Sequence, residues 1–169
     1  MRSDGSFSFA VATWLTEAEA LPHRLNPGRG KVMDKKRLVL EHAAMMERWS
    51  ALQPRLCRNA SGSQLWWEMN LKGEGGNRLP IKIEYPADYP ASPPNIVIRC
   101  SMPAGTPHRL VGNRMCWFYP GESKRNRNMW CPSKDTAAMC VGVAQRWFYA
   151  FLVWLSIGEW PVPDALSSQ

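Results

Sequence analysis

Apolar positions recur along the chain first with a helical period and then with an alternating one. Leu38, Met45, Trp49 and Leu52 fall at roughly helical spacing, with Ala43, Ala44 and Met46 filling in. Lys35, Lys36, Arg37, Glu41 and Glu47 supply the polar side. Asp34 stands where a helix N-cap belongs, and Pro54 ends what precedes it. The pattern predicts an amphipathic helix of about four to five turns. After Pro54 the period changes to two. PRLCRNA (54–60) reads as a short strand, and Ser61, Gly62 and Ser63 as a turn. In the next strand Leu65, Trp67, Met69 and Leu71 alternate with Trp66, Glu68, Asn70 and Lys72. GEGGN turns the chain back into Leu79, Ile81, Ile83 and Tyr85, which alternate with Pro80, Lys82 and Glu84.

YPADYPASPP (85–94) follows. Its four prolines lack the N–H a sheet interior needs, so they predict a rigid extended connection. Asn95–Cys100 reads as a fourth strand. From His108 to Ser133 regular signals stop. Irregular stretches that long in a compact domain usually serve a function. From Thr136 onward a strongly apolar helix is expected to run through Ile157, with Gly158 as its C-cap. The expected class is α+β: an N-terminal helix, a four-stranded antiparallel meander, an irregular segment and a C-terminal helix.

Composition narrows this picture. The 169 residues suit one domain with a real core. The expected division is an extension over 1–33, a domain over 34–160 and a tail over 161–169. Phe7, Phe9, Trp14 and Leu15 make the extension either a loose tail with packing anchors or a partner-docking arm. Apolar residues make up 45%, which excludes a disordered chain. The net charge of +7 suits nucleic acid, a membrane surface or an acidic protein partner. No RNP-like, zinc-finger or glycine-rich phosphate-loop motif accompanies it, so nucleic acid is not the expected partner. No apolar run is long enough to span a bilayer, and the run at 7–15 makes a poor signal peptide. Five cysteines without CxxC spacing argue against both a disulfide framework and a zinc site. A reducing cytoplasm, with no metal and no cofactor, is the expectation.

The candidate chemistry lies among those thiols. Cys57 and Cys100 fall in strands and Cys140 in the apolar helix, so all three read as core. Cys131 sits beside Trp130 in the irregular stretch. Cys116 stands between Met115 and Trp117, eight residues after His108. From the residues alone Cys116 is either a buried apolar filler or a nucleophile.

The order of these pieces resembles the ubiquitin-conjugating enzyme (UBC) fold. Tyr89-Pro90, Pro93-Pro94, Cys116 and Trp130-Cys131-Pro132-Ser133 carry the resemblance, over roughly residues 34–160. The ending RWFYAFLVWLSIGEW (146–160) is similar to the bacterial branch, found in antiviral CBASS operons and other ubiquitin-like conjugation operons. The resemblance implies that Cys116 forms a thioester and that His108 supports the reaction. It implies a protein partner: a ubiquitin-like protein, or in CBASS the C-terminus of a cGAS-like nucleotidyltransferase. The alternative it leaves is a catalytically inactive UBC-fold scaffold. Three departures stand out. Pro107-His108-Arg109 occupies the place of a His-Pro-Asn triplet and lacks its Asn. The stretch between Cys116 and Trp130 is long and carries ESKRNRN. A chain of this length has no room for an activating domain, so the expectation is an activating enzyme in trans or none at all.

Overall fold

The computed structural model describes residues 33–117 and 130–161. The readings made for residues 1–32, for the ESKRNRN stretch and for the tail after 161 lie outside these. Asp34 caps helix α1 (Lys35–Trp49), its side chain accepting the Lys36 N–H at 3.1 Å. A single 3-10 turn, Ser50–Leu52, ends it. Strands β1 (Arg55–Arg58), β2 (Leu65–Lys72), β3 (Arg78–Glu84) and β4 (Asn95–Ile98) then form the expected antiparallel meander.

The phase of the alternation is as expected. Trp67, Met69 and Leu71 are buried and stand opposite Ile83, Ile81 and Leu79. Ile96 and Ile98 extend the same buried face into β4. Burying side chains of this size stabilises by roughly 1.5–3 kcal/mol each. Helix α2 (Ala137–Ile157) lies against this face, burying Val141, Trp147, Phe148 and Phe151 among others. Gly158 closes it with φ of 77°, where a side chain would be strained.

Three expectations are corrected. The sheet has six strands rather than four, in the order β1-β2-β3-β4-β6-β5. The extra pair, β5 (Arg109–Leu110) and β6 (Arg114–Met115), falls inside the stretch expected to be irregular. Two-residue strands leave no period to detect. Second, α2 is by length and composition long enough to cross a membrane, although Gln145 and Arg146 interrupt its apolar run. Ten of its residues are buried, so here it serves as a core helix.

Third, Glu41 does not belong to a polar face; it is fully buried. Its carboxylate accepts from Arg37 Nε at 2.8 Å, from the Tyr85 hydroxyl at 3.1 Å, from the Tyr89 hydroxyl, and from the Ala137 N–H at 2.7 Å. Those donors fill the roughly four acceptor positions of a carboxylate. The last bond also does work for α2. Thr136, at its N-cap, makes no side-chain cap, and the Glu41 anion sits at the positive end of the helix instead. Burial and the neighbouring Glu41 push both tyrosine hydroxyls upward, so they stay protonated as donors. Truncating Glu41 leaves Arg37 and the N-terminus of α2 without their anion. Glu41→Ala should cost about 3–5 kcal/mol, read as a fall in the urea midpoint at unchanged slope.

Candidate active site

Strand β6 delivers Cys116. Successive residues of an extended chain point to opposite sides. Met115 and Trp117 are both buried, and the half-buried Cys116 between them turns the other way. The large apolar neighbours noted in the sequence are therefore anchors on either side of the thiol.

The backbone of this segment is fixed from His108. The Cys116 N–H donates to the His108 carbonyl at 2.9 Å. The same carbonyl accepts the Trp147 indole N–H from α2 at 3.1 Å. His108 itself has φ of 51°, in the left-handed region that a non-glycine residue seldom occupies. Its ring lies 5.0 Å from Trp160, which in turn lies 5.7 Å from Trp147. The structure thus brings His108 and Cys116 together through the main chain.

The two arginines of the β5–β6 hairpin bond within it. Arg109 donates to Asn113 Oδ1 at 2.8 Å, and Arg114 Nε reaches the Val111 carbonyl at 3.3 Å. Asn113 also ties this hairpin to the end of β4 through the Cys100 carbonyl at 3.2 Å.

The Trp-Cys-Pro-Ser segment is fixed independently. Buried Trp130 donates its indole N–H to the Pro90 carbonyl at 2.7 Å, beside the cis Tyr89–Pro90 peptide. Asp135 accepts the Cys131 N–H at 2.6 Å, and Arg37 donates to the Pro132 carbonyl at 3.0 Å. Cys131 is half-buried, and its hydrogen bond with Ser133 Oγ at 3.5 Å lowers its thiol below the ordinary range. Burial pushes Cys57, Cys100 and, most strongly, Cys140 upward. Cys140 is fully buried as expected; Cys57 and Cys100 are only half-buried.

Two participants escaped the sequence reading. Trp147 read as packing, and nothing local marks its indole as the partner of a carbonyl 39 residues away. Glu41 had a faint signal: it follows Arg37 by four residues, and Tyr85-Pro86 and Tyr89-Pro90 repeat at the same interval.

An antiparallel sheet with a helix before it and a core helix after it, and a cysteine presented just beyond the last strand, defines a domain of UBC type. The family model described as type II CBASS E2 protein matches residues 41–167, and the chain belongs to that family. The resemblance to the CBASS branch is thereby borne out. Among solved structures the chain is similar to the yeast vps23 UEV domain in complex with a vps27 PSDP peptide. Identity is 17% and the TM-score 0.52, over 92% of this chain and 95% of that one. It is also similar to a complex of the Vps23 UEV with ubiquitin, at 16% identity and a TM-score of 0.49, over 81% and 91%. No curated protein sequence matches the chain. At these identities the first structure supports the fold alone. Family and fold together give the protein a conjugating-enzyme-like role in CBASS.

Two measurements check the geometry. Trp147→Phe keeps the packed ring and removes the bond to His108. It should cost about 1 kcal/mol and speed the labelling of Cys116 by a maleimide, beyond what the stability loss explains. In a pH series with iodoacetamide, Cys131 should be modified at lower pH than Cys57 or Cys100. Ser133→Ala should move its profile up toward that of an ordinary thiol.

Proposed function

We propose that the domain is an acyl carrier whose Cys116 takes the activated C-terminus of a protein as a thioester and passes it on. The supporting observation is the placement of Cys116: a half-buried thiol projecting from a backbone held by His108, Met115 and Trp117. In the loading step Cys116 Sγ attacks the carbonyl carbon of the activating enzyme's thioester. The new C–S bond forms, the old one breaks, and the leaving thiolate stays on that enzyme. In the transfer step an amine nitrogen attacks the same carbonyl carbon. The C–N bond forms, the C–S bond breaks, the amine loses its proton, and Cys116 leaves as a thiolate.

The Cys116 N–H is committed to the His108 carbonyl, so it is not spare for the oxyanion. We assign oxyanion support to the His108 side chain, the position the resemblance implies. The donor in this reading is a cGAS-like nucleotidyltransferase or a ubiquitin-like protein, with the activating enzyme acting in trans in the cytoplasm. No cofactor, nucleic acid or membrane takes part.

The test is intact-mass spectrometry after incubation with the activating enzyme, the donor protein and ATP. The expected adduct is removed by DTT and absent in Cys116→Ala. His108→Ala should load and then transfer about 10²–10³-fold more slowly. Failure to form any adduct in the wild-type protein would show a scaffold rather than a carrier.

A further inference from the structure

The outer face of the sheet, opposite the side covered by α2, carries a groove of about 730 Å³ at the Lys72 end of β2. Arg55, Lys72, Arg78 and Arg99 line it, with Glu68 as its one carboxylate. Strand pairing assembles these cations. Arg55 stands opposite Glu68, and Lys72 stands directly opposite Arg78. Arg99 is drawn alongside β3 by its N–H, which donates to the Pro80 carbonyl at 2.8 Å.

Lys72 and Arg78 are both exposed, and the Lys72 ammonium donates to the Ala51 carbonyl at 3.2 Å. Like charges directly opposite across two strands repel. Among the described residues no ion pair joins either of them to a carboxylate. Glu68 shows what the rest of the groove recognises. One of its oxygens takes Arg55 at 3.2 Å and the other takes Arg99 at 3.1 Å. The two arginine side chains are 76% and 51% exposed, and ion pairs this open are weak and readily exchanged. Each guanidinium also has further N–H donors beyond the nitrogen given to Glu68. No aromatic ring lines the groove, so the bases of a nucleic acid have nothing to stack on.

We infer that this groove docks an acidic, extended segment of a partner protein, its carboxylates taken by Arg55, Lys72, Arg78 and Arg99. The site is separate from the thiol. With Val97 opposite Arg114, Cys116 lies toward the Asn95 end of β4, whereas the groove lies toward the Arg99 end. The inference therefore stands whether or not Cys116 forms a thioester.

The test is fluorescence anisotropy of a labelled oligoglutamate peptide with the full-length protein, as wild type and as Cys116→Ala. Both should bind equally, and more weakly as salt rises. Arg78→Glu with Arg99→Glu should weaken binding at least about tenfold. Lys36→Glu with Lys134→Glu makes the same change in net charge elsewhere and should alter binding less than about twofold. Glu68→Gln removes the internal competitor and should tighten it. Each variant is first checked for a cooperative thermal melt, and Arg78→Gln alone replaces the double variant if that fails. Absence of binding at low salt, an equal loss in both charge-reversed pairs, or tighter binding of a single-stranded oligonucleotide of the same length would overturn the inference.

Discussion

The buried carboxylate of Glu41 is the constraint on which the arrangement of the domain depends. It reaches three separate pieces of chain: its own helix through Arg37, the proline connection through Tyr85 and Tyr89, and the start of α2 through Ala137. A buried charge is tolerable only when its acceptor positions are filled with good geometry. Shifting any of these pieces leaves a charge or a donor unpaired in a dry environment. The network is extended outward by Trp67, whose indole N–H donates to the Tyr85 hydroxyl at 2.7 Å, and by Arg37, which reaches the carbonyls of Pro132 and Asp135. The same cluster that orients α2 therefore also holds the turn that carries Cys131.

Indole nitrogens do comparable work across the molecule. Trp49 donates to the Ala138 carbonyl at 2.8 Å, Trp130 to Pro90 and Trp147 to His108. Each ring buries a large apolar surface and spends its single N–H on a backbone carbonyl of another segment. This accounts for these three tryptophans better than packing alone. Trp130 and Trp147 fasten segments that have little hydrogen-bonded secondary structure of their own.

What the sequence disclosed and what it hid follow from the range of the interactions. The meander was legible because Trp67, Met69 and Leu71 repeat at the interval of a strand, and α2 because its apolar residues and Gly158 are contiguous. Glu41 was not legible, since its partners lie 44, 48 and 96 residues away, and a glutamate in an amphipathic helix normally faces water. Strands β5 and β6 were too short to carry a period. For the thiol, the sequence singled out Cys116 as the candidate by its position after the proline connection. It could not show that Trp147 reaches the same carbonyl as the Cys116 N–H.

The two tryptophans that bracket residues 118–129 bear on how such a domain can diversify. Trp117 and Trp130 are both buried, so the segment between them departs from one fixed point and returns to another. Everything shown to position Cys116 lies before that segment, in α2 or at Trp160 just after it. Closing a longer loop between fixed ends costs only slightly more entropy, growing with the logarithm of its length. Insertions or deletions there need not re-engineer the scaffold that presents the thiol.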